Sequence, residues 1–324
     1  IKQVIRNKKN WGFYLLGTFI IIPIMMIIFQ IPFTVALTSA AMDDPELLAK
    51  LAQNDVNAMM SVLEPNLNLF LMLLGFAGML LGVFISTKYL HKNSIRELTT
   101  SRDKIDWSRV FYSFSIWGLI TVPLIMLDTT IISPENYEWN FNFNSFIVLL
   151  GIVIVWIPIQ TSAEEYLFRG YLMQGVGVIS GTRWLPLIFT SLAFGLMHYA
   201  NPEIDKLGNM VYVFYIGSGL FAGIMTLMDE GMELALGWHA ANNSFAALLV
   251  TADWTALQTH SVYKDISDPQ SLPVDEVLVP VLFFVVVLVI FRKNTDGQIG
   301  KVNYLEKFNF YLIQFQDYKI QLQR

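Results

Sequence analysis

The chain has 324 residues, 54% of them hydrophobic and only 15% charged, with a mean hydropathy of +0.50. Soluble domains carry about 25% charged residues, so this composition excludes an ordinary soluble globular protein and predicts a polytopic membrane protein. There is no cysteine, which removes disulfides, thiolate metal sites and a cysteine nucleophile, and the net charge of −5 says little until its distribution is known.

Eight apolar windows are long enough to cross about 30 Å of hydrocarbon. They are Trp11 to Leu37, Leu67 to Leu90, Val110 to Ile132, Phe146 to Thr161 and onward, Trp184 to His198, Met210 to Met228, Leu234 to Val250, and Val277 to Phe291. The first follows Lys2, Arg6, Lys8 and Lys9 and is too long for a signal-peptide core, so it reads as an uncleaved span. Pro23, Pro32, Pro123, Pro158 and Pro186 start or kink helices rather than breaking spans. Gly78 with Gly82, and Gly219 with Gly223, have the small-xxx-small spacing of close helix packing.

These windows predict an all-α bundle of about eight transmembrane helices. All of the 21 Lys and Arg except Lys50, Lys206 and Lys264 then fall on the side of the termini. The positive-inside rule makes both ends cytoplasmic. The acidic loop from Ser39 to Glu64 is external and has room for a short helix, and the tail from Asn294 to Arg324 is expected on the membrane surface. The chain divides into three N-terminal spans (1–144), a core (145–255), an external loop and last span (256–293), and a tail (294–324), with no internal repeat.

The stretch Thr161 to Gly170, Thr-Ser-Ala-Glu-Glu-Tyr-Leu-Phe-Arg-Gly, ends the fourth window. A charge near mid-bilayer costs roughly 2.5 to 3.5 kcal/mol on insertion scales, which makes it a functional signal. On a helix Glu165 and Arg169 share a face and can pair, while Glu164, about 100° away, is left free. A helix end emerging into water with a surface ion pair accounts for the same residues. Two more polar positions lie in apolar windows: His198, closing Phe194-Gly-Leu-Met-His198, and His239, one turn before Asn243. Each histidine alone is more often a hydrogen-bonded core residue than a catalyst, and His91 and His260, at loop ends, have no assigned role.

Glu164 and His198 lie equally far from Gly181 in an antiparallel hairpin, so they are expected to face each other. His239 lies eight residues from the Asp229 to Glu233 turn, roughly 12 Å at helical rise, which places it shallower. A carboxylate and an imidazole flanking a water can deprotonate it and return the proton to a leaving group. An Asn or a second His can stabilise a tetrahedral oxyanion. The same Glu and His set can instead bind zinc through two imidazoles and one carboxylate. There is no His-Glu-x-x-His motif, no Gly-x-Ser-Gly around Ser218, and no aspartate pair in facing spans.

The ordered set Glu164-Glu165-x-x-x-Arg169, Phe194-x-x-x-His198 and His239-x-x-x-Asn243 resembles the CPBP family of intramembrane proteases. These are relatives of the type II CAAX prenyl endopeptidases and of bacteriocin-processing or abortive-infection proteins. The match covers about residues 145 to 255. The resemblance implies that Glu164 and His198 activate water, that Glu165 and Arg169 order the site, and that His239 and Asn243 polarise the scissile carbonyl, with Phe194 a packing position. The family is described both as metalloprotease and as metal-free glutamate protease. The metal-free form is preferred, with Glu164, His198 and His239 the ligands if zinc is used. The expected partners are the lipid bilayer and a membrane-associated peptide or protein, prenylated or leader peptides among the candidates, with no nucleic acid; the expected home is the bacterial inner membrane. A non-catalytic membrane scaffold of the same fold is the alternative, and a proton-coupled transporter a weaker one.

Overall fold

A computed structural model describes residues 11–53, 55–269 and 274–294. The chain divides into two compact units, Ile1–Val281 and Leu282–Arg324. The described part of the second continues a helix, Val274–Asn294. The first unit holds every motif residue. The expected surface tail and the basic N-terminal cluster lie outside the described residues.

The first unit is helical. Among the described residues, five helices are long and apolar enough to cross a membrane: Trp11–Ala40, Pro65–Leu90, Trp107–Ile132, Phe143–Ser180 and Pro202–Asp229. Hydropathy predicts about eight, and two of the other windows form shorter helices. The fifth forms a helix of only 13 residues, Trp184–Leu196, about 20 Å at 1.5 Å per residue. The seventh forms a 17-residue helix, Glu233–Leu249, interrupted on one face by its polar residues. The eighth lies in the 21-residue helix Val274–Asn294. The physical reason is that a hydropathy window counts apolar residues across helix ends. Gly181, at φ 63°, separates two helices inside an otherwise apolar region, and the left-handed Glu230, at φ 55°, does the same before Glu233.

Local chemistry sets the other boundaries. The Asp44 side chain caps Pro45–Ala52 and Asp55 caps Val56–Ser61, so the acidic loop carries two short helices where one is expected. Ser94 and Glu97 form a capping box on Ile95–Thr99. Asn142 caps the long helix that begins at Phe143.

Packing follows the small residues. A Cβ at Gly78 would lie 2.4 Å from the Met25 carbonyl oxygen, and one at Gly219 would lie 2.9 Å from Ser191. These glycines let Pro65–Leu90 close on Trp11–Ala40, and Val211–Asp229 on Trp184–Leu196. Trp107–Ile132 packs on Glu233–Leu249, which also contacts Phe143–Glu165.

The two ends of this unit differ. At one end lies a small sheet: Tyr137–Trp139 pairs antiparallel with Tyr263–Asp265, which pairs in parallel with Val250–Ala252. At the other, the loop 100–102 is stapled to the turn before Glu233. Ser101 donates to the Glu230 carbonyl at 3.0 Å, and Arg102 binds Asp229 at 2.8 Å and Glu233 at 3.1 Å. Arg109 adds a 2.6 Å contact to Asp229. Both acids are buried, Glu233 completely.

Candidate active site

The three motifs come together around one cavity of about 340 Å³. Glu164 and Glu165 end the α-helical run Phe143–Glu165, where a π-helical turn, Tyr166–Leu172, begins. Such turns re-aim side chains and recur at functional sites. This one contains Arg169, whose Nη1 lies 2.8 Å from Glu165 Oε1. The pair is sealed from solvent: Glu165 is 0% exposed and Arg169 3%. Arg169 Nη2 donates to the Gly219 carbonyl at 3.3 Å. Its guanidinium lies over the Phe194 ring, 4.5 Å from the centroid, so the expected packing position also meets a cation.

Glu165 has a second partner that helical spacing does not show. His239 Nδ1 lies 2.8 Å from the same Oε1. A carboxylate paired with arginine accepts, so Nδ1 carries the proton and Nε2 turns to Glu164, whose Oε2 is 3.4 Å away. That oxygen makes no hydrogen bond among the described residues. His239 thus sits between the two carboxylates, level with them. The expectation that it lies shallower is corrected. Glu165 lies fifteen residues from Ser180 and His239 six from Glu233, so the Gly181 turn extends beyond the Glu230 turn by roughly 14 Å of helix rise.

His198 lines the same cavity as Glu164. Its Nδ1 lies 2.8 Å from the Phe194 carbonyl oxygen. A carbonyl only accepts, so Nδ1 is the donor and Nε2 keeps a lone pair. The ring stacks on Tyr215, with centroids 4.0 Å apart and planes 18° apart. Tyr215 OH donates to Glu203 Oε1, which Asn201 also reaches at 3.0 Å. Glu203 Oε2 accepts from the Ala256 backbone N–H at 3.1 Å.

Asn243 also lines the cavity. Its amide donates to Gln160 Oε1 at 3.0 Å and accepts from Asn242 at 3.1 Å, which in turn accepts from Trp117 Nε1 at 3.2 Å. Gln160, Asn201, Glu203 and Tyr215 are absent from the sequence-derived site. Gln160 carried a readable signal, being an amide one turn before Glu164 in an apolar helix. The other three did not, because nothing local ties an acid in the first turn of Pro202–Leu207 and a tyrosine to His198. His91 and His260 are not idle either. His91 is buried, 2.9 Å from Tyr171 OH, and His260 lies 2.7 Å from Glu64.

Glu164, His198 and His239 are the zinc candidates. His239 Nδ1 is engaged by Glu165 and His198 Nδ1 by a backbone carbonyl, which leaves Nε2 of each ring for a water or a ligand. Among the described residues, no group of three or more His, Asp or Glu is placed to hold a metal ion.

A family model described as "Type II CAAX prenyl endopeptidase Rce1-like" matches residues 143–245. The chain is 27% identical over 267 residues to the uncharacterized protein YyaK of Bacillus subtilis (strain 168), covering 82% of this chain and 84% of that protein. No solved structure matches. The matched segment contains all three motifs, so over residues 143–245 this chain is similar to the Rce1-like type II CAAX prenyl endopeptidases, as the motifs imply.

Proposed function

We propose that this chain is an intramembrane endopeptidase of a bacterial cell membrane, cutting a membrane-associated peptide or protein by metal-free hydrolysis. The observation that carries this reading is the sorting of the polar residues. Glu164, His198, His239 and Asn243 line one cavity, while Glu165 and Arg169 are sealed behind it. The Rce1-like match supports the class of reaction.

In this reading Glu164 and His198 Nε2 hold a water in the cavity. Glu164 takes a proton as the water oxygen bonds to the scissile carbonyl carbon. The carbonyl π pair moves to oxygen, and the oxyanion is met by the Asn243 amide N–H, with His239 held beside it by Glu165. Collapse re-forms the carbonyl and breaks the C–N bond, and the proton on Glu164 passes to the leaving nitrogen. Gln160 fixes which way the Asn243 amide faces. Arg169 never reaches the substrate; it neutralises Glu165 and locks it against His239.

The test is quantitative proteomics of membranes carrying the chain or its Glu164→Gln variant at equal abundance. At least one peptide should be cut only in the former. Identical peptide populations would remove the hydrolase reading and leave the scaffold.

A further inference from the structure

We infer that the cavity is entered from the sheet end of the helical unit, the extracytoplasmic side, and that its substrate is the external juxtamembrane segment of a membrane-anchored polypeptide. The substrate part rests on the hydrolase reading above; the side of access does not.

The cavity wall sets the direction. Its residues at this end are Asn201, Glu203 in the first turn of Pro202–Leu207, Thr255, Ala256 and Leu257, with Val250 at the start of a strand. All belong to connections at the sheet end. None comes from the loop 91–106, from 181–183 or from 230–232, which lie at the opposite end. This rim is built rather than incidental, because Glu203 ties Tyr215 beneath it to the Ala256 backbone above it.

The floor separates the cavity from the opposite end. Glu165 is completely buried. Arg169, beyond it, lines a second cavity of about 290 Å³ together with Thr99, Ser101, Arg183 and Gly231. No residue lines both cavities. The buried ion pair therefore stands between the water-activating groups and the end that carries the 91–106 loop.

Charge assigns the sides. Lys88, Lys92, Arg96, Arg102, Lys104, Arg109 and Arg183 cluster at the end opposite the sheet. Connections at the sheet end carry Glu135, Glu138, Glu203, Asp205, Asp253 and Asp265, with Lys206 and Lys264 the cations between 133 and 268 outside the other end and the site. Short basic loops stay in the cytoplasm, which puts the sheet and the cavity rim outside. A scissile bond in a cytoplasmic C-terminal tail would meet the ion pair and not Glu164.

The absence of cysteine gives a direct test. Single variants Asp253→Cys (exposed, sheet end), Ser218→Cys (buried, cavity wall) and Ser101→Cys (exposed, opposite end) are made in the full chain. Right-side-out spheroplasts are treated with a membrane-impermeant sulfonated thiol reagent, before and after permeabilisation. Asp253→Cys and Ser218→Cys should label to the same extent in both, and Ser101→Cys only after permeabilisation. The inference is overturned by the reverse pattern, by Ser218→Cys labelling only after permeabilisation, or by its failure to label in either state. Thr255→Cys replaces Ser218→Cys if the latter does not accumulate. Repeating the labelling in the Glu164→Gln background separates the two questions, since external labelling with no cleaved peptide would sink the hydrolase and keep the route.

Discussion

Glu165→Gln is the perturbation that best separates support from chemistry. Glu165 Oε1 faces Arg169 Nη1 and His239 Nδ1, each at 2.8 Å, with the carboxylate fully buried and the arginine nearly so. Removing one partner of a buried ion pair costs roughly 3 to 5 kcal/mol, because the other charge stays buried and uncompensated. Two features place this variant at the lower end. The Gly219 carbonyl still accepts from Arg169, and the Phe194 ring still faces the guanidinium. Glu165 and Arg169 are also four apart, so the pair persists in a helix-retaining unfolded state, and part of its attraction cancels. We therefore expect a loss of about 3 kcal/mol. Glu164→Gln should cost under about 1 kcal/mol, since Oε2 makes no hydrogen bond and borders a cavity. The assay is SDS titration in mixed micelles followed by tryptophan fluorescence, with Arg169→Met and the double variant completing a cycle. Equal stability for both glutamine variants would refute this division of roles. So would additivity of Glu165→Gln and Arg169→Met within about 0.5 kcal/mol.

Gln160→Ala should lower turnover about tenfold with the fold intact, because the Asn243 amide loses a neutral hydrogen bond of about 1 to 1.5 kcal/mol; no change in kcat would detach Gln160 from the site. Metal analysis of active protein should find no stoichiometric zinc and strong chelators should leave cleavage intact, whereas loss restored by one zinc per chain would reassign Glu164, His198 and His239 as ligands. At the start of the Pro65–Leu90 helix, burial works against ionisation of Glu64, but the Leu67 and Asn66 N–H groups and His260 outweigh it and hold the carboxyl below its usual range. A depressed carboxylate contributes stability above its unfolded value of about 4.3 and loses it as pH falls through the folded value. Wild-type thermal stability should therefore fall more steeply below about pH 4.3 than that of Glu64→Gln, and identical slopes would contradict the contact.

The sequence by itself determined what depends on composition and short spacing. Low charge and long apolar runs made the chain a membrane protein, and the four-residue interval made Glu165 the partner of Arg169. Paired glycines marked Gly78 and Gly219 as close crossings. Each of these is a one-dimensional quantity, readable along a single helix. Tertiary structure decided everything that depends on where helices stop and how far they slide past one another. Two windows, the fifth and the seventh, form helices shorter than their hydropathy suggests, because Gly181 and Glu230 break the backbone without lowering hydropathy enough to be seen. His239 reaches both glutamates because the Phe143–Ser180 helix extends far beyond the Glu230 turn, an offset that residue counting from turns cannot supply. Tyr215 and Glu203 join His198 for the same reason. A stack and a hydrogen bond between separate segments are fixed only when packing brings those segments to one depth.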